Sequence, residues 1–113
     1  KGDLMIPLNG KNHKIEVKAF SSDGPTSFGP RESWDSIYFI DCKKYDELIF
    51  KIYVIKLSNK CDIWKNIKIN KTETYYKHCT EKRRPRICFS ELLKQIPSNK
   101  YSIIFYGHID DLN

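Results

Sequence analysis

The chain lacks the patterns by which many small enzymes declare themselves. It has no glycine-rich phosphate loop, no nucleophile elbow and no paired-carboxylate motif, so enzyme activity is not expected. It also lacks C-x-x-C spacing, which speaks against zinc-ribbon and thioredoxin chemistry. Its three histidines, His13, His78 and His108, are scattered, and the neighbours His78 and Cys79 alone make no ligand set, so neither a metal nor a cofactor is expected. Long apolar runs are missing as well: the longest, residues 101–106, falls far short of the roughly 20 residues a membrane-spanning helix needs. The start at Lys1-Gly-Asp without an initiator Met reads as a mature fragment or an excised segment. Internal repeats and low-complexity stretches are absent. The 113 residues suffice for one domain with its own core, with residues 1–3 and 110–113 expected to fray.

What is present is charge, unevenly spread. The net charge is +6, and residues 60–100 alone carry +7, against +1 for residues 1–59 and −2 for residues 101–113. An excess on one half favours an anionic partner: phospholipid headgroups, nucleic acid or sulfated glycan. Abundant Lys, Asn, Ile and Tyr also fit an AT-rich coding sequence, but that bias would supply Lys where residues 82–86 use Arg. Cys42, Cys61, Cys79 and Cys88 are even in number; they form either a disulfide framework, with three pairings open, or reduced thiols in which Cys88 acts as a small apolar residue between Ile87 and Phe89.

Hydrophobic alternation gives the elements. Trp34 to Asp41 and Asp46 to Leu57 are β-rich runs around a turn-prone 42–45, an antiparallel pair; the second is apolar on both faces, as a strand in the middle of a packed sheet must be. Residues 4–8, the turn signal Asn9-Gly10 and residues 13–20 read as a hairpin, with Ile15, Val17 and Ala19 on one side and Lys14, Glu16 and Lys18 on a wet one. Residues 21–30 are dense in turn formers and form the longest loop. Residues 62–70, 72–78, 86–89 and 101–106 are further strand candidates, and Ser90 is a plausible N-cap for one helix over residues 91–96. Together they predict an all-β fold, a single antiparallel sandwich of seven or eight strands with one short helix.

The order of these elements resembles a C2 domain. The matching segments read Trp34-Asp-Ser-Ile-Tyr38, Glu47-Leu-Ile-Phe-Lys-Ile-Tyr53, Asp62-Ile-Trp-Lys-Asn-Ile-Lys-Ile69 and Ile87-Cys-Phe-Ser-Glu-Leu-Leu93. The resemblance spans residues 13–106. It implies a non-enzymatic module of the calcium-independent branch, because Asp23 and the Val54-Ile-Lys56 stretch cannot supply the oxygen ligands a calcium ion requires. The implied partner is an anionic membrane (phosphoinositide, phosphatidylserine or phosphatidic acid) or a scaffolded protein, with no nucleic acid, for a monomer peripheral to a membrane in the cytoplasm.

The site for that partner is the cluster Lys82, Arg83, Arg84 and Arg86, extended by Lys77, placed between two strand candidates as a cationic tip. Tyr75-Tyr76-Lys77-His78 interleaves aromatic and basic groups as single-strand nucleic-acid platforms do, but core packing for one tyrosine and surface cover for the other is the simpler expectation. Trp34 and Trp64 read as core anchors. The alternative function is a secreted or cell-surface sandwich, stapled through Cys42, Cys61, Cys79 and Cys88 and binding a host protein or glycan, in which the Asn70-Lys-Thr72 sequon would matter.

Overall fold

The computed structural model describes residues 4–29 and 32–112. The first hairpin forms as its alternation dictates: β1 (Leu4–Leu8) pairs antiparallel with β2 (Lys11–Phe20) through a two-residue turn. Asn9 and Gly10 both take positive φ, 52° and 78°, which matches the twist of the strands they join. After β2 the chain makes a short strand β3 (Pro25–Ser27) and returns as β4 (Ser36–Lys44), which runs parallel to β2 with Glu16 opposite Ile37 and Lys18 opposite Phe39. A 3-10 turn at Tyr45–Glu47, closed by Leu48 in the left-handed region, leads into β5 (Ile49–Ile55), antiparallel to β4. The last strand, β7 (Tyr101–His108), lies antiparallel to β5, giving a five-stranded mixed sheet in the order β1-β2-β4-β5-β7.

Between β5 and β7 lie α1 (Asp62–Lys65), α2 (Tyr75–Thr80), a short strand β6 (Arg86–Cys88) paired with β3, and α3 (Phe89–Lys94). The fold is therefore β-rich, as expected, with the hairpin, the central antiparallel pair and the closing strand where the patterning put them. It departs from the C2-like antiparallel sandwich in two ways. One sheet pair is parallel, and the second sheet has two strands among the described residues.

Residues 62–70 and 72–78, read as strands, hold helices instead. Trp64 and Ile67 are buried three residues apart, as are Tyr75 and His78, which is a helical and not a strand repeat. Thr74 fixes the start of α2 by accepting a hydrogen bond from the Lys77 N–H at 3.1 Å. The late helix begins at Phe89, with Cys88 in the N-cap position in place of Ser90. Asp110 and Asp111 sit in a 3-10 turn, and residues 1–3 and 113 lie outside the described residues.

One face of the large sheet carries the core. Ile37, Phe39, Tyr53 and Ile55 pack against Phe28, Trp34, Trp64, Tyr75, Phe89 and Leu92. Both tryptophans are core anchors, as expected, and their indole N–H groups converge on one acceptor, the Leu57 carbonyl, at 2.9 and 3.0 Å. Tyr75 is buried and Tyr76 exposed, so the tyrosine pair divides as read, although on a helix. The four cysteines are free thiols, each partly buried.

Candidate functional site

The strand β2 points its charged residues the unexpected way. Because Glu16 and Lys18 lie opposite Ile37 and Phe39, they share the core face of the sheet, and Ile15, Val17 and Ala19 face the other side. Glu16 is 4% exposed, as buried as Ile15. A carboxylate so placed needs charged or hydrogen-bonding company. The Lys18 ammonium lies 3.4 Å from Glu16 and 2.6 Å from Glu32, so one cation links two carboxylates at the edge of an aromatic core.

Glu32 arrives from the turn-rich segment after β3, which is anchored and not a bare connector: Phe28 is fully buried, its ring 5.5–6.1 Å from those of Trp34, Phe39, Trp64 and Tyr75. Burial raises the affinity of the Glu32 carboxyl for its proton, but hydrogen bonds from Lys18, the Gly29 N–H and Arg84 outweigh that and hold it below the usual carboxylate range. Along β2, the Lys14 N–H donates to Asp35 at 2.8 Å, and His13 Nε2 lies 3.0 Å from the Ser36 hydroxyl.

Gly29 holds the turn. Its φ of +66° favours glycine, and a β-carbon there would overlap the Tyr75 hydroxyl and approach its Cζ to 3.1 Å. Gly29→Ala is expected to lower stability by about 2 kcal/mol in urea unfolding. Adding Tyr75→Phe should return part of that loss, since it removes the hydroxyl but neither the ring contact nor the backbone strain. A Gly29→Ala protein as stable as the parent would show that this turn can rearrange freely.

The basic cluster is spread over ion pairs. Arg83 bonds Glu73 and Glu81, both at 3.0 Å, and Lys77 bonds Glu81 at 2.7 Å. Asn70, His78 and Arg83 together hold the partly buried Glu73 carboxyl down to about 2. Arg84 reaches across to the Glu32 carboxylate at 3.2 Å and to the carbonyls of Ser27 and Gly29. Lys82 has a φ of 59°, and Arg86 is exposed on β6. The cluster is thus brought together in part, and Arg84 belongs to the Glu16–Lys18–Glu32 array. Sequence reading missed that array, although one signal was legible: opposite charges two apart in a strand share a face.

The model of the Bsp6I restriction endonuclease family matches residues 7–96. The type II restriction enzyme Bsp6I of Bacillus sp. (strain RFL6) is 35% identical over 74 residues, 64% of this chain and 41% of that protein. The alignment thus spans less than half the length of this curated relative. No solved structure matches. These findings overturn the resemblance to C2 domains and the non-enzymatic lipid-binding module inferred from it. The anionic-membrane partner, the exclusion of nucleic acid and the peripheral-membrane location rested on that resemblance and fall with it, and nothing found supports the secreted alternative. The array on β2 lies within the matched residues, and by the extent of that match the chain belongs to the Bsp6I restriction endonuclease family.

Proposed function

We propose that this chain binds duplex DNA and takes part in hydrolysing a phosphodiester bond, with Glu16 and Lys18 at the reacting phosphate. The observation that carries this reading is the buried carboxylate facing an ammonium two residues along the same strand, inside a restriction-endonuclease match. The net charge of +6 suits a polyanion.

Nucleases commonly use divalent metal ions, and the donor set fits one. No group of three or more His, Cys, Asp or Glu residues suited to a metal occurs among the described residues. Mg²⁺, however, is ordinarily held by one or two carboxylates together with waters and substrate phosphates. Glu16 offers a hard oxygen donor of that kind, while the oxygens of Glu32 are taken by the Gly29 N–H, Lys18 and Arg84. Glu16 would hold such an ion, and the chemistry it would supply there is Lewis-acid polarisation of a phosphoryl oxygen and a more acidic water.

The chain's own groups do the rest. In hydrolysis the water oxygen bonds to phosphorus, the bond from phosphorus to the departing sugar oxygen breaks, and that oxygen takes up a proton as the water gives one up. The Lys18 ammonium, with its three N–H donors, hydrogen-bonds a non-bridging phosphoryl oxygen as negative charge gathers there. The aromatic wall beneath β2 keeps water from one side of the pair, which strengthens the interaction.

Incubating the full chain with supercoiled plasmid and Mg²⁺ at low salt is expected to convert the plasmid to cut forms, and EDTA to stop the conversion. Plasmid that stays intact while the protein is bound to it would sink the reading.

A further inference from the structure

We infer that Glu32, fixed in place by Arg84, is a positioning residue that aims the Lys18 ammonium at the scissile phosphate; this rests on the nuclease reading above. Lysine is a flexible four-carbon arm carrying a point charge, and on its own it samples many rotamers. A group that must meet developing charge works best when its position is set before the reaction. Of the two carboxylates near Lys18, Glu32 is the closer, at 2.6 Å against 3.4 Å for Glu16.

Glu32 is itself held at both oxygens. Oε1 accepts the Gly29 N–H, and Oε2 accepts both Lys18 and Arg84, the latter at 3.2 Å. Arg84 also donates to the carbonyls of Gly29 and Ser27, so its guanidinium ties the carboxylate to the backbone that carries it. Gly29 in turn sits against Tyr75 and follows the fully buried Phe28. Rigidity thus passes from the aromatic core through Gly29 and Glu32 to the ammonium. Arg84 joins the array from 52 residues away in sequence, which gives one member of the basic cluster a task within the protein, apart from any bound polyanion.

The test compares parent, Glu32→Gln, Arg84→Met, the double variant and Lys18→Met, all as the full chain, on one duplex under single-turnover conditions with Mg²⁺. Glu32→Gln keeps the shape and an acceptor for Gly29 but turns an amide N–H donor toward Lys18 and Arg84, so it releases both while leaving the Gly29 turn closed. The expected result is a 10–100-fold fall in cleavage rate for Glu32→Gln and for Arg84→Met, with KM within about twofold of the parent. The double variant should be no slower than Glu32→Gln, because both residues act through Lys18. A readout independent of cleavage is the Lys18 ammonium ¹⁵N–¹H signal, assigned by its loss in Lys18→Met and expected to broaden or shift in both single variants. If the parent cleaves but Glu32→Gln keeps the parent's rate and Lys18 signal, or raises KM alone, the positioning role is overturned and the nuclease reading stands. If neither parent nor any variant cleaves bound DNA, the nuclease reading has failed and the inference falls with it.

Discussion

Glu16→Gln is expected to bind the same duplex as the parent, with Kd within about threefold, and to cleave it on the order of 10³-fold more slowly, a loss of about 4 kcal/mol in transition-state stabilisation. The substitution keeps volume and one acceptor oxygen, removes the charge and turns the other oxygen into an N–H donor. Glu16 is 4% exposed, beside an ammonium 3.4 Å away, so the missing charge cannot be replaced by bulk water or by a mobile neighbour. DNA affinity, by contrast, arises from many phosphate contacts spread over a basic surface, and one buried carboxylate contributes little to it. Quenched-flow cleavage alongside fluorescence-anisotropy binding separates the two. A Glu16→Gln protein that cuts at the parent's rate would move the reacting phosphate away from β2. A protein that loses both binding and its melting transition would mark Glu16 as a structural buried charge.

The strands were legible because their side-chain period is two and their turns are chemically marked. Asn9-Gly10 and the double apolar pattern of residues 48–55 each locate one element, and β5 does lie inside the sheet, between β4 and β7. The direction of β4 was not legible: whether the chain re-enters a sheet parallel or antiparallel is decided by how residues 21–35 cross over, and turn formers say nothing of that path. The short helices escaped for a related reason. Ile, Trp and Tyr favour strands by local preference, yet Trp64 and Tyr75 are drawn into helices by the chance to bury large rings against Phe28.

The site was misread through one assumption, that the charged side of an alternating strand is its wet side. For β2 the charged side is the inner one, because Lys18 meets Glu32 from a segment 14 residues on and Glu32 meets Arg84 from 52 residues beyond that. Neither partner is visible in a local window. The partners of Arg83, Glu81 and Glu73, lie two and ten residues away and are within reach of a local reading, whereas Glu32, the partner of Arg84, is not.

Phe28→Ala is expected to cost about 3–5 kcal/mol, and so to lower the melting temperature by roughly 10–25 °C in a domain of this size. Phe28 is fully buried at the meeting point of four rings, with centroids 5.5 Å from Tyr75, 5.6 Å from Phe39 and Trp64, and 6.1 Å from Trp34. Removing it leaves a cavity bounded by rigid aromatics that cannot collapse into the space, which puts the cost near the upper end of large-to-small substitutions. Phe28→Leu refills most of the volume and should recover more than half of the loss. Because Phe28 precedes Gly29, whose N–H holds Glu32, the Ala variant should also cleave DNA more slowly than the parent at temperatures where both are fully folded. Differential scanning calorimetry and cleavage assays at 10–15 °C measure the two effects separately. A melting temperature within a few degrees of the parent would mean that the segment after β3 contributes little to the core, and normal cleavage by a destabilised variant would uncouple that core from Glu32.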